Sequence, residues 1–220
     1  MSQGCVNTPQ HRYFPIITAT RLMPALNALL LDFDGLLADY DHRRFLQHLA
    51  EAAACTVPQL DTVLRSESLE LAHARGELDG DQLLRALNDH LDCNLQANDW
   101  QHARAAATVP RRDCVALLER VHPEVSVAIL TNNGALALPV IQQFLPRQRV
   151  LGSATLGIRK PDPDAYLAAC NALGCEPARA LFVDHLFRNV QGARTAGLHA
   201  DTAYHAQSLR RLLRRFHLLG

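Results

Sequence analysis

The chain has 220 residues, of which 48% are hydrophobic and 20% charged, so it has enough apolar material for one large domain or a domain carrying an insertion. Its 22 Lys and Arg residues balance 22 Asp and Glu residues. A chain without net charge has no overall field to draw nucleic acid or an anionic membrane surface. We therefore expect a globular protein with no nucleic-acid partner and no membrane partner.

The cysteines and the N-terminal region indicate the compartment. Six cysteines occur without any C-x-x-C pair, which favours reduced thiols in a cytoplasmic protein. No apolar run is long enough for a membrane span, and the first 20 residues lack a basic start followed by an apolar block. Residues 1–24 are polar and contain prolines, so we expect an N-terminal extension ahead of the compact domain.

The first predicted elements are one strand and a long helical region. Residues 28–31 form a continuous apolar run, typical of a strand buried on both faces of a parallel sheet, and the run ends at Asp32. After a turn at Gly35, residues 41–107 have helical spacing, with breaks at 56–58 and 76–80. This region predicts an all-helical insertion after the first strand.

Beyond residue 110 the pattern alternates between helices and strands. Further strands are predicted at 125–130, 150–151, 180–183 and 198–202, and helices at 111–121, 162–173, 189–196 and the C terminus. Such alternation indicates crossover units. The predicted fold class is α/β, a Rossmann-like parallel sheet flanked by helices and interrupted by the helical insertion.

Polar residues follow three of the predicted strands. Asp32, Thr131 and Asp184 each come directly after an apolar run. In open parallel sheets, ligands bind outside the carboxyl ends of the strands. We expect these three side chains to meet at one edge of the sheet.

The segment from Asp32 to Gly35 contains two carboxylates, Asp32 and Asp34. Two carboxylates at this spacing can share a site when the chain turns at a glycine, so that one attacks and the other transfers a proton. Buried carboxylates are costly without a partner, which points to a cation or to catalytic use. D-x-D-G is also an ordinary turn sequence, and from these residues alone both interpretations stay open.

Three other segments carry weaker signals. Residues 131–134, Thr-Asn-Asn-Gly, stand before a predicted helix and would either bind an anion or simply cap that helix. Lys160 lies in a stiff loop before Pro161, where its ammonium group could neutralise a carboxylate and a phosphoryl group or merely face solvent. Asp184, beside His185, could also be a simple strand-end cap.

Taken in this order, the four segments resemble the haloacid dehalogenase-like hydrolase superfamily, specifically its phosphatase branch. The resemblance runs from about residue 27 to the C terminus and includes the helical region, which is similar to that branch's inserted cap. It implies an α/β core at 25–40 and 108–220, and a helical cap at 41–107.

The resemblance also implies roles for individual residues. Asp32 would be the nucleophile that forms an aspartyl-phosphate, and Asp34 the acid/base that protonates the leaving oxygen and then activates water. Lys160 would stabilise the charge on Asp32 and the transferring group. Thr131, together with backbone N–H groups around Asn132, would bind the phosphoryl oxygens.

The expected cofactor is Mg²⁺, held by the Asp32 carboxylate, the Asp34 carbonyl oxygen and an acidic residue after the third strand. The family usually has two adjacent acids or Gly-Asp at that point, whereas this chain has Asp184 and His185. Imidazole suits Mn²⁺, Co²⁺, Ni²⁺ or Zn²⁺ better than Mg²⁺. Three alternatives stay open: Asp184 ligates Mg²⁺, the site prefers a transition metal, or the chain is a weak or inactive phosphate-binding relative.

The implied substrate is a small phosphorylated metabolite, chosen by the helical insertion. Candidate substrate contacts are Tyr40, His42, Arg43 and Arg75, although His42 and Arg43 could merely begin a solvated helix and Arg75 could pair with Glu77. The superfamily's 2-haloacid dehalogenases use the same nucleophile without metal but lack an aspartate two residues later, so Asp34 argues against that activity. A monomer and a homodimer are both compatible with the sequence.

Overall fold

The computed structural model describes Met1 and residues 25–219. The expected extension at residues 1–24 therefore lies, apart from Met1, outside the described residues. In chain order the strands are β1 (Ala28–Leu31), β2 (Ala38–Tyr40), β3 (Thr108–Pro110), β4 (Ser126–Thr131), β5 (Arg149–Gly152), β6 (Ala180–Asp184) and β7 (His199–Thr202).

Eleven α-helices connect these strands in the described part of the chain. They are α1 (His42–Ala52), α2 (Val57–Ser66), α3 (Leu69–Arg75), α4 (Gly80–Leu91), α5 (Ala97–Ala106), α6 (Arg112–Leu118), α7 (Leu138–Phe144), α8 (Ser153–Leu156), α9 (Pro163–Leu173), α10 (Phe187–Thr195) and α11 (Ala206–Arg215).

The main sheet has five parallel strands in the order β5-β4-β1-β6-β7. β1 is central, and all four of its side chains are buried. Leu29 and Leu31 pack in a cluster with residues of α6, α7 and α11, while Leu30 packs on the opposite face with α9 and α10. Alternate side chains of a strand point to opposite faces, so helices cover both faces and the α/β prediction is confirmed.

The five helices α1 to α5 form the helical insertion, and their apolar side chains make a separate hydrophobic cluster that Leu136 of the core also joins. Helix starts explain the two breaks in the sequence pattern. Thr56 and Gln59 form a capping box at the start of α2, and Asp79 and Gln82 form one at the start of α4. The division of the chain into a core at 25–40 and 108–220 and a cap at 41–107 stays a prediction.

A short antiparallel pair, β2 and β3, joins the insertion to the sheet-bearing part of the chain. Ala38 pairs with Pro110, and Tyr40 with Thr108. The sequence pattern did not predict these strands, because three residues are too few to show alternation. The chain therefore enters the insertion through β2 and leaves it through β3, side by side. We call this pair of strands the junction.

His73 of α3 links the insertion to the core a second time. Its Nε2 accepts a hydrogen bond from the N–H of Leu136 at 3.2 Å, and its Nδ1 lies 2.9 Å from the Leu78 carbonyl oxygen. The ring packs so closely on Gly134 that a Cβ there would meet it at 2.1 Å. Among the described residues, no helix is long and apolar enough to cross a membrane.

Candidate active site

The ammonium group of Lys160 lies between two carboxylates at the carboxyl edge of the sheet. Its Nζ is 2.7 Å from Oδ1 of Asp32, which follows β1, and 2.9 Å from Oδ2 of Asp184, which ends β6. All three side chains are buried, and Lys160 is 3% exposed. The predicted convergence of strand-end residues thus produces a buried cluster of one cation and two anions.

Burial and charge act against each other within this cluster. Burial raises the pKa of Asp32, although Lys160 opposes the shift. Burial alone would lower the pKa of Lys160, but Asp32 and Asp184 hold it above its usual value. Burial also disfavours the charged form of Asp184, yet Lys160 and the N–H of Leu186 keep the pKa of that carboxyl below its usual value. Lys160 is therefore a fixed positive charge beside Asp32.

Further hydrogen bonds fix Asp184. The N–H of Leu186 donates to Oδ1 at 2.7 Å, and Nδ2 of Asn189 donates to Oδ2 at 2.8 Å. Asn189 is itself held by the Tyr166 hydroxyl, which donates to the Asn189 carbonyl oxygen at 2.6 Å. Asn189 was not predicted as a site residue, because an asparagine in a helix carries no sequence signal for such a contact.

His185 faces the same two carboxylates. Its Nδ1 lies 3.3 Å from Oδ2 of Asp32 and 3.4 Å from Oδ1 of Asp184. This nitrogen is shielded from solvent and has no well-aligned hydrogen bond to any described residue. The proximity of Asp32 raises the pKa of His185. The ring rests on Gly35, where a Cβ would meet it at 2.7 Å, so a glycine is needed at that position.

The donor atoms of these residues fit a divalent ion. Asp32, Asp184 and His185 each offer one ligand atom, and these atoms all lie within 4.8 Å of one another. An unpaired ring nitrogen beside two carboxylate oxygens is a mixed nitrogen and oxygen set, which transition metals accept more readily than Mg²⁺ does. Asp184 and His185 thus lie together beside Asp32, and metal binding by these three residues stays a prediction.

Asp34 has different partners from Asp32. Its Oδ1 pairs with Nη2 of Arg104 at 2.6 Å, and its Oδ2 accepts from Nδ2 of Asn133 at 2.8 Å. Asn133 Nδ2 also donates to Oγ1 of Thr131 at 2.7 Å. The carboxylate of Asp34 is therefore held by the helical insertion on one side and by the loop after β4 on the other.

Asn132 holds the loop that carries Lys160. Its Oδ1 accepts from the N–H of Lys160 at 2.9 Å, and its Nδ2 donates to the Lys160 carbonyl oxygen at 2.8 Å. This paired contact resembles one rung of a sheet and fixes Lys160 relative to β4. Binding of a phosphoryl group by Thr131 and the backbone near Asn132 stays a prediction.

A cavity of about 60 Å³ lies between the insertion and the core, and its lining includes Arg104 and Asn133, which hold Asp34. It is lined by Tyr40, Phe45, Glu70, His73, Ala74, Trp100, Arg104, Asn132, Asn133, Gly134 and Ala137. The Tyr40 hydroxyl is 3.2 Å from Nδ1 of His42 at the start of α1. Of the four predicted substrate contacts, Tyr40 thus lines the cavity, and His42 does not line it but contacts Tyr40.

The two predicted arginine contacts lie elsewhere. Arg43 is exposed on α1 and does not line this cavity. Arg75 lies 3.6 Å from Glu77 and lines a separate open groove of about 580 Å³ with Arg159. The structure does not place these two side chains against the cavity, and their contact with substrate stays a prediction. Arg104, which was not predicted as a site residue, is the arginine that pairs with Asp34.

The sheet, the insertion after its first strand and the aspartates at its carboxyl edge define a class of α/β hydrolases. A family profile described as haloacid dehalogenase-like hydrolase matches residues 26–197, and the chain belongs to that family. The resemblance seen in the sequence is thereby confirmed.

Two curated relatives are phosphatases. The chain is 26% identical over 197 residues to Phosphatase MT3486 of Mycobacterium tuberculosis, covering 80% of this chain and 86% of the relative. It is 29% identical over 184 residues to the N-acetylmuramic acid 6-phosphate phosphatase of Pseudomonas aeruginosa, covering 78% and 79%. The chain is thus similar to phosphatases over most of its length.

Solved structures show the same fold. A HAD family enzyme of Bacteroides thetaiotaomicron, in complex with magnesium and inorganic phosphate, superposes with a TM-score of 0.72 at 16% identity, covering 86% of this chain and all of that chain. The L-2-haloacid dehalogenase PA0810 superposes with a TM-score of 0.62 at 22% identity, covering 86% and 99%. At these identities the likeness shows the fold alone.

Proposed function

We propose that this hydrolase is a metal-dependent phosphatase that cleaves a small phosphate monoester through an aspartyl-phosphate on Asp32. The observation that carries the proposal is the Lys160 ammonium, which lies 2.7 Å from Asp32 and 2.9 Å from Asp184 at the edge of the sheet. A buried cation at this place stabilises both a nucleophilic carboxylate and the negative charge of a transferring phosphoryl group.

The residues divide the reaction into two steps. In the first step an oxygen of Asp32 attacks phosphorus, the bond from phosphorus to the ester oxygen breaks, and Asp34 gives that oxygen a proton. In the second step water attacks the aspartyl-phosphate, Asp34 takes the water's proton, and Asp32 is released. The separate hydrogen-bond partners of Asp32 and Asp34 support this division of roles.

Asp32, Asp184 and His185 would hold the divalent ion, with the carbonyl oxygen of Asp34 as a further ligand. A bound divalent ion neutralises the negative charge that develops on the phosphoryl oxygens. His185 supplies nitrogen where an oxygen ligand is usual for Mg²⁺, so activity with Mn²⁺ or Co²⁺ should equal or exceed activity with Mg²⁺.

The helical insertion would act as the cap that selects the substrate. The cavity of about 60 Å³ between the insertion and the core is lined by Tyr40, Trp100 and Glu70, which we propose contact the leaving group. The two curated relatives, both named as phosphatases, support a small phosphorylated metabolite as substrate. Reduced cysteines fit a cytoplasmic setting.

The test is phosphate release from p-nitrophenyl phosphate and from a panel of phosphorylated metabolites, with Mg²⁺, Mn²⁺ or Co²⁺ and with EDTA. Asp32→Asn is the matched control, because the amide keeps the shape of the side chain but cannot act as the nucleophile. We expect activity at least ~10³-fold above that control. Activity equal to the control with every metal would refute the phosphatase and leave a phosphate-binding protein.

Chloride release from 2-haloacids, measured in parallel, tests the dehalogenase alternative. We expect none, because Asp34 is suited to protonating an ester oxygen and the curated relatives are phosphatases. Chloride release faster than phosphate release would reverse the assignment.

His185→Asp tests the ligand set. The substitution replaces the ring nitrogen with the carboxylate oxygen that Mg²⁺ prefers, so Mg²⁺-supported activity should rise about tenfold relative to Mn²⁺-supported activity. Titration calorimetry of Mg²⁺ binding to the variant and the parent chain provides a readout independent of turnover. An unchanged metal preference would show that Asp184 alone determines it.

A further inference from the structure

We propose that Arg104 is a positioning residue that orients Asp34 and so couples proton transfer to the docking of the helical insertion on the core. The inference rests on the proposed phosphatase function. It concerns a residue of α5 that is 70 positions from Asp34 in sequence and was not among the predicted site residues.

The guanidinium group of Arg104 is held on three sides. Nη2 pairs with Oδ1 of Asp34 at 2.6 Å, and Nη1 donates to Oγ1 of Thr108 at 2.7 Å. The guanidinium carbon lies 3.9 Å from the centre of the Tyr40 ring. Tyr40 and Thr108 are partners in the junction, so the planar group is fixed where the insertion meets the core.

Charge makes the contact to Asp34 a specific one. Arg104 is 3% exposed, and among the described residues Asp34 is the one carboxylate within ion-pair distance of it. A buried guanidinium requires an anionic partner, and its rigid fork limits the directions from which that partner can approach. The position of Asp34 is thus set by a side chain that belongs to the insertion.

The second oxygen of Asp34 is held from the core. Asn133 donates to Oδ2, and the same amide group contacts Thr131. Asp34 therefore lies between the two parts of the chain, whereas the hydrogen-bond partners of Asp32 all belong to the core. Moving α5 away from the core would misplace the proton-transfer group while leaving the nucleophile and Lys160 in position.

A double-mutant cycle tests this coupling. We would measure kcat/KM with β-glycerol phosphate and p-nitrophenyl phosphate for the parent chain, Arg104→Met, Asp34→Asn and the double variant. Arg104→Met should lower kcat/KM about 10²-fold with the alkyl ester, whose leaving oxygen needs a proton, and only a few-fold with nitrophenolate, which does not. In the Asp34→Asn background, Arg104→Met should cost less than about threefold further.

Controls separate positioning from a structural role. Arg85→Met removes an exposed arginine of α4 and should leave kcat/KM unchanged with both substrates. Arg104→Lys keeps the charge but not the fork, so it should fold and retain part of the activity, with the same dependence on the leaving group. If the circular dichroism spectrum of Arg104→Met differs from that of the parent chain, Arg104→Lys is used in its place.

Two results would overturn the inference: losses from Arg104 and Asp34 substitution that multiply in the double variant, or equal losses on both esters. Either result leaves the phosphatase assignment intact as long as the parent chain releases phosphate. A parent chain that releases no phosphate from any ester contradicts the proposed function instead, so the two failures are distinguishable.

Discussion

The two halves of the site are built differently. Asp32, Lys160 and Asp184 are joined entirely within the core, at the ends of β1 and β6 and in the loop before α9. Asp34, only two residues from Asp32, pairs instead with Arg104 of the helical insertion. In the proposed roles, the nucleophile and its counter-charge are held by contacts within the core, whereas the acid/base is also held by the insertion.

The largest expected effect comes from the core half. Lys160→Met would leave Asp32 and Asp184 facing each other without their cation. We expect a destabilisation of about 3 to 5 kcal/mol, because a buried charge loses its partner, and a loss of at least ~10² in kcat/KM. Urea unfolding and phosphate-release kinetics measure the two effects.

The matched control for that variant is Arg159→Met, which removes the neighbouring positive charge from a half-buried side chain. We expect its activity to stay within a few-fold of the parent chain. If the activity of Lys160→Met also stays within a few-fold of the parent chain, Asp32 does not depend on the Lys160 cation. The proposed difference between the two halves of the site would then be wrong.

An intermediate effect is expected where α10 packs on the loop before α9 that carries Lys160, which we call the lysine loop. Pro161 directly follows Lys160 in the chain. A Cβ on Gly192 would lie only 2.0 Å from the Pro161 carbonyl oxygen. Gly to Ala usually stabilises a helix by about 1 kcal/mol, but Gly192→Ala should destabilise the chain by about 1 to 3 kcal/mol, because the backbone must move. Activity should fall with it, since the loop carries Lys160.

Thermal unfolding checks the sign of that change. Thr195→Ala, at an exposed position of the same helix, controls for helix propensity and should be neutral or slightly stabilising. Stabilisation by Gly192→Ala would show that α10 and the lysine loop are not in tight contact.

The smallest effect is expected at the junction. Thr108→Val removes the hydroxyl that accepts from Nη1 of Arg104 and donates to the Arg104 carbonyl oxygen at 2.7 Å. We expect a destabilisation of about 1 kcal/mol, because a buried N–H loses its partner, and a loss of a few-fold in alkyl phosphate turnover. Unchanged turnover would show that Arg104 holds Asp34 without support from the junction.

The same contrast explains what the sequence could predict. Asp32, Thr131 and Asp184 were predictable because each follows a buried apolar run, and parallel strands bring their carboxyl ends to one edge. Lys160 was predictable as a residue in a stiff loop before a helix that starts with proline. Its ammonium group lies 2.7 Å from Asp32 and 2.9 Å from Asp184, so it does not merely face solvent, and its role toward a phosphoryl group stays a prediction.

Contacts that depend on packing between distant segments could not be predicted. Arg104 is one of many arginines on helices, and its partner is set by the junction, whose strands are too short to recognise. The same limit applies to Arg75, which faces a separate groove with Arg159. His185 was noticed because it departs from a family pattern, but only the structure shows its Nδ1 between Asp32 and Asp184.

The central claim is that Asp32 carries the phosphoryl group during turnover. It is tested most directly by acid-quenching the enzyme while it turns over its best substrate and locating covalent phosphate by peptide mass spectrometry. We predict phosphate on the peptide that contains Asp32, and none on the same peptide of Asp32→Asn. Phosphate on another residue, or turnover by Asp32→Asn at the parent rate, would contradict the account.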